Sequence, residues 1–95
     1  LELVEREIFV GFVRLINRWK PTQSLNIETG ALAASVIGSD KSSGHWELEK
    51  ASGDEYRLKN RLKPELYINI EGNRLQASTI QPGWWSARWK LIPVQ

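Results

Sequence analysis

The chain has 95 residues, with 13 Lys and Arg against 11 Asp and Glu, five Trp, no Cys and no Met. That length suits one domain, and the missing cysteines exclude disulfides, thiolate metal sites and a thiol nucleophile. No apolar run reaches the ~18–20 residues of a membrane-spanning helix, and no secretory leader pattern is visible. Acids interrupt every basic stretch, as in Glu5-Arg6-Glu7 and Asp54-Glu55-Tyr56-Arg57, so no nucleic-acid partner is expected.

In chain order, Leu1-Glu2-Leu3 reads as the end of a strand. Residues 5–19 come nearest to a helical pattern, but they are rich in Val, Ile and Phe. Their second half alternates as a strand, with Val13 and Leu15 inward against Arg14 and Ile16. Lys20-Pro21-Thr22 signals a turn. Leu25 and Ile27 then alternate with Asn26 and Glu28, and Thr29-Gly30 turns the chain into a third strand through Leu32, Ala34 and Val36. After Gly38-Ser39-Asp40 a fourth strand carries Trp46 and Leu48. The same order then recurs: Tyr56 and Leu58 against Arg57 and Lys59, a turn at Lys63-Pro64-Glu65, Ile68 and Ile70 against Asn69 and Glu71. Gly72-Asn73, a strand through Leu75, Ala77 and Thr79, Pro82-Gly83, and a strand with Trp89 and Leu91 complete it.

This recurrence is a repeat of 43 residues. Aligned without a gap, Phe12–Leu48 and Glu55–Leu91 are identical at 16 of 37 positions, so the chain holds two copies of one all-β unit. Leu1-Glu2-Leu3 matches the fourth strand, Trp46-Glu47-Leu48, of such a unit. The linker from Leu3 to Val13 is two residues longer than that from Leu48 to Tyr56. Propeller blades of the Trp-Asp type have a similar size, but they occur four or more at a time and neither copy ends in Trp-Asp.

Each copy resembles a repeat of the ricin-B-type lectins. Tyr56-Arg57-Leu58-Lys59-Asn60-Arg61, Tyr67-Ile68-Asn69-Ile70 and Ala87-Arg88-Trp89-Lys90-Leu91 follow the family's strand motifs. So do Phe12-Val13-Arg14-Leu15-Ile16-Asn17-Arg18, Ser24-Leu25-Asn26-Ile27 and Gly44-His45-Trp46-Glu47-Leu48. The resemblance covers residues 12–91. It implies a β-trefoil: two complete four-stranded repeats, 12–54 and 55–95, after the last strand of a preceding repeat and its linker in 1–11. It also implies shallow sugar sites, one per lobe. Where the family carries Asp, Gln and a stacking aromatic, this sequence has Asn26 and Asn69, Gly44 and Ala87, and Ser35 and Ser78.

Catalytic chemistry is not expected. The one histidine, His45, reads as a surface strand residue beside Trp46. Glu28 and Glu71 occupy equivalent places in different lobes, too far apart for a glycosidase pair at ~5–10 Å. No metal or cofactor is implied. Sugar recognition needs a flat aromatic face and polar groups for the ring's hydroxyls, and the candidates are Asn69, Glu71, Trp84 and Trp85, with Asn26, Glu28 and Trp19 as a first-lobe counterpart. Asn and Glu two apart on a strand share its outward face, either to grip a hydroxylated ligand together or as a solvated face. Adjacent Trp84 and Trp85 in a turn cannot both face one core, so at least one is expected at the surface; packing over the barrel or against a neighbouring lobe is the alternative for them and for Trp19. For the repeated Asn17-Arg18 and Asn60-Arg61, the Asn is expected to cap its turn and the Arg to lie along the sheet.

The reading at this point is a non-enzymatic carbohydrate-binding module, the C-terminal part of a larger lectin or toxin. A structural or protein-interaction trefoil, and the membrane-targeting domain of a pore-forming protein, stand as alternatives. The partners expected are a carbohydrate or glycoconjugate and another chain or repeat completing the trefoil, with membrane contact and compartment left open. Nine strands where a trefoil has twelve, with no initiator Met, suggest an incomplete chain.

Overall fold

The computed structural model describes residues 2, 3 and 11–93 of the chain. Ten short strands run β1 (Glu2–Leu3), β2 (Phe12–Val13), β3 (Leu15–Ile16), β4 (Ser24–Asn26), β5 (Ala33–Ser35), β6 (Trp46–Ser52), β7 (Glu55–Asn60), β8 (Tyr67–Asn69), β9 (Gln76–Ser78) and β10 (Trp89–Lys90). Single 3-10 turns at Ser42–Gly44 and Trp85–Ala87 precede β6 and β10, and no α-helix occurs among the described residues. The unit beginning at β2 is called lobe 1 and that beginning at β7 lobe 2.

The sequence period is reproduced in the hydrogen-bond register. Val13↔Trp46, Ile16↔Ser24 and Leu25↔Ala34 in lobe 1 recur 43 residues later as Tyr56↔Trp89, Lys59↔Tyr67 and Ile68↔Ala77. All pairings are antiparallel, as short loops between consecutive strands require. The first strand of each lobe serves two partners. Its leading half pairs with the lobe's own last strand, and its trailing half with the second strand. In lobe 1 a break at Arg14 divides this strand into β2 and β3. Between the lobes, the long β6–β7 ladder sets Glu47 against Lys59 and Leu48 against Leu58. Glu2 and Leu3 meet Ile16 and Leu15 in the same way. The N-terminal strand therefore stands to lobe 1 as β6 stands to lobe 2. The two extra linker residues fall within 4–11, which except for Gly11 lie outside the described residues.

Val13, Leu15, Leu25, Ile27, Trp46, Leu58 and Ile68 form the buried cluster, with Leu32, Leu48, Leu66, Ala77 and Trp89 packed around it. The two conserved-in-repeat indoles have polar as well as apolar duties. Trp46 Nε1 donates to the Leu25 carbonyl and Trp89 Nε1 to that of Ile68, each at 2.9 Å. Each bond ties a lobe's last strand to its second strand, and that of Trp46 satisfies a fully buried N–H.

Strict alternation fails at several positions. Ile16, expected outward, is buried, because β3 is flanked by both β1 and β4. Arg57 is also buried; its guanidinium lies 3.7 Å from the Tyr67 ring centroid, reaches Glu49 at 3.2 Å and donates to the Ile80 carbonyl at 2.9 Å. Ala34 and Val36, expected inward, are exposed, since β5 pairs only with β4 and forms the edge of its sheet.

Candidate functional site

The turn before β10 is built by local bonds. Trp84 N donates to the Gln81 carbonyl and Arg88 N to that of Trp85, closing successive tight turns across Pro82-Gly83 and the 3-10 turn. Ala87 is fully buried beneath it. From the side, Arg88 Nη2 donates to the Pro82 carbonyl at 3.3 Å, while Nη1 reaches Ser52 and Glu55. Ile70 N donates to the Ser86 carbonyl at 3.1 Å and fastens the turn to the end of β8. On this clamped turn Trp84 is 47% and Trp85 84% exposed. Both indoles reach the surface, one more than the minimum expected.

The bond from Ile70 also sets the turn beside Glu71. That residue is exposed, and no hydrogen bond or ion pair reaches its carboxylate among the described residues. Two indoles, a carboxylate and the Ser86 hydroxyl thus share one neighbourhood in lobe 2.

The asparagines do not join them. Asn26 and Asn69, expected to face outward with their glutamates, are buried. Asn26 Nδ2 donates to the Ser24 carbonyl and to Ser35 Oγ, and Asn69 Nδ2 to the Tyr67 carbonyl and to Ser78 Oγ. Their Oδ1 atoms accept from the backbone N–H of Glu28 and Glu71 at 3.0 Å. The Ser42–Gly44 turn packs on Asn26, whose Cβ lies 3.6 Å from a Cβ built at Gly44, and the amides close a turn and position the glutamates instead of presenting themselves to solvent. The serines standing where the resembled family has a stacking aromatic complete that internal network.

Trp19 is 84% exposed, at the tip of the β3–β4 turn with the Lys20 ammonium 4.8 Å from its ring centroid. It lies at the other end of β4 from Asn26 and Glu28, so lobe 1 does not assemble the predicted trio. The Asn caps are as expected: Asn17 and Asn60 accept from the backbone N–H of Lys20 and Lys63.

His45 is the residue that sequence reasoning misplaced most. It is fully buried, its Nε2 is 2.7 Å from the Ser39 carbonyl, and Arg61 Nη1 lies 3.2 Å from Nδ1. Since the guanidinium can only donate, Nδ1 accepts and Nε2 carries the proton given to Ser39. His45 and Arg88 are repeat equivalents, as are Ser39 and Pro82, so both side chains clamp the same loop. That shared position, 43 residues apart, was the available signal. Among the described residues no three His, Asp or Glu gather to hold a metal, and no helix is long and apolar enough to cross a membrane.

No family model matches the chain, and no curated protein matches it. Among solved structures it is similar to the designed three-fold symmetric protein ThreeFoil, at a TM-score of 0.82 and 15% identity, over 98% of this chain and 71% of that one. The fold is trefoil-like. It is also similar to a GlcNAcα1-4Gal-releasing endo-β-galactosidase from Clostridium perfringens, at a TM-score of 0.85 and 28% identity. That match covers 99% of this chain and 23% of the galactosidase, so the chain spans under a quarter of that protein's length.

Proposed function

We propose that the chain is a non-enzymatic carbohydrate-binding module of ricin-B-type trefoil character, with Trp84 and Trp85 as its stacking platform. The observation that carries this reading is the pair of solvent-facing indoles on a turn clamped by Arg88, beside a carboxylate with no partner among the described residues. An indole face suits the C–H side of a pyranose, and a carboxylate accepts hydroxyl protons in charge-assisted bonds. Because the turn is already fixed, little ordering entropy is lost on binding. The similarity to part of an endo-β-galactosidase supports a carbohydrate connection, and the burial of the asparagines moves recognition from the amides to the indoles and Glu71.

The test is the double substitution Trp84→Ala, Trp85→Ala. On a glycan array followed by titration, binding is expected to fall by about 2 kcal/mol or more, as for aromatic hot spots. Stability should stay within about 0.5 kcal/mol, as for exposed substitutions. A folded variant that melts at a lower temperature yet binds glycan as the wild type does refutes the platform.

One observation favours a second reading, a protein-interaction trefoil. Among the described residues strand β10 pairs with β7 alone, and Ile70, Leu91 and Ile92 are exposed beside it. An open strand edge flanked by apolar side chains is a template for another polypeptide's strand.

A further inference from the structure

The two lobes hold the same acidic position in different states. In lobe 1, Ser43 Oγ donates to Glu28 Oε1 at 2.7 Å, and Lys41 and Ser42 stand where lobe 2 has the indoles. In lobe 2, the bond from Ile70 N to the Ser86 carbonyl duplicates that from Ile27 N to the Ser43 carbonyl, each at 3.1 Å. Ser86 therefore has the same place beside the strand end as Ser43. Its Oγ, however, is buried with no hydrogen-bond partner among the described residues, and the Glu71 carboxylate stands free of it. An unpartnered buried hydroxyl is an uncommon and costly state that a ligand atom can relieve.

We infer that lobe 2 alone is the working subsite, and that Glu71, with Ser86 Oγ turned outward by rotation about χ1, binds the hydroxyls of a neutral hexopyranose lying on Trp85. This rests on the carbohydrate-binding reading above. The carboxylate accepts a proton from one sugar hydroxyl, and the serine hydroxyl donates to a sugar oxygen and can accept in return. The negative charge of Glu71 disfavours uronic and sialic acids. Lobe 1 is the self-satisfied copy: Glu28 is already held by Ser43, and no indole stands over it.

A neutral glycan retained by the wild-type chain on an array is titrated calorimetrically into wild type and three variants. One site per chain is expected. Glu71→Gln and Ser86→Ala should each weaken binding, Glu71→Gln by roughly ten- to hundred-fold, with neither melting temperature lowered. Glu28→Gln should bind as wild type does. Neither lobe-2 change removes an interaction made within the protein, so loss of affinity cannot be ascribed to unfolding. Two equivalent sites per chain, or equal losses from Glu28→Gln and Glu71→Gln, overturn the lobe assignment and leave the sugar reading standing. Retention of acidic glycans in preference to neutral ones overturns the ligand class. Failure of the wild type to bind any glycan overturns both.

Discussion

Asn60 shows how much one side chain can hold at the junction of two lobes. It is fully buried; its Nδ2 donates to the Ser43 carbonyl and its Oδ1 accepts from Lys63 N, both at 3.0 Å. The Ser43 carbonyl also receives Ile27 N, so one oxygen ties lobe 1 to itself and to lobe 2. Asn60→Ala would strand the Lys63 N–H and weaken the seam, at an expected cost of about 2–3 kcal/mol. Asn17, its partly exposed equivalent, makes the same turn bond to Lys20, and Asn17→Ala should cost about 1 kcal/mol or less because water can replace the amide. Urea denaturation of the two variants checks the difference; equal losses would show that the seam bond contributes nothing. The cap was legible in the sequence through the repeated Asn-Arg-x-Lys-Pro. The seam bond was not, because it joins residues 17 apart through burial that no local pattern encodes.

At the scale of elements, the 43-residue period placed every strand of lobe 2 opposite its counterpart in lobe 1, and even the 3-10 turns coincide, Ser42–Gly44 with Trp85–Ala87. Turn chemistry follows the same rule. Gly30 has φ +97° and its equivalent Asn73 has φ +64°, so both lobes turn through left-handed backbone after the second strand. Glycine adopts it freely, and Asn tolerates it better than other side chains do. No neighbour approaches a Cβ built at Gly30, so substitution there tests backbone strain alone. Gly30→Ala is expected to cost about 1 kcal/mol and Gly30→Asn less, read from thermal melts. The reverse order would mean that the loop relaxes elsewhere. What the period left open was facing. Alternation separates the two sides of a strand but does not say which is covered, and the Ser42–Gly44 and Trp85–Ala87 turns close on β4 and β8 through the bonds from Ile27 N to the Ser43 carbonyl and from Ile70 N to the Ser86 carbonyl.

For the whole molecule, equivalent residues have unequal surroundings. Ile27 is 2% exposed and Ile70 51%; Trp46 is fully buried while Trp89 is only partly so. Strand β6 is paired on both sides, by β2 and β7, whereas β10 has β7 alone among the described residues. Exposing half an isoleucine forfeits on the order of 1–2 kcal/mol of burial, an incentive for association along this edge. If the interaction reading holds, light scattering at micromolar concentration should give a mass above the 10.9 kDa of one chain. In the assembly, β10 amides should exchange nearly as slowly as those of β6. A monodisperse monomer with rapidly exchanging β10 amides speaks against self-association there.

By itself the sequence determined the repeat, the all-β class, the strand order, the Asn-capped turns and the trefoil resemblance. All of these arise from short-range periodicity and turn chemistry, which act between neighbours along the chain. Tertiary structure alone decided that Asn26, Asn69, His45 and Arg57 are buried and internally bonded, that Trp84 and Trp85 both reach solvent, and that Glu28 is taken by Ser43 while Glu71 is free. Those outcomes depend on which surface lies over which. Two lobes with nearly one pattern differ at the candidate site because a hydroxyl and a carboxylate meet across 15 residues in one lobe and do not in the other.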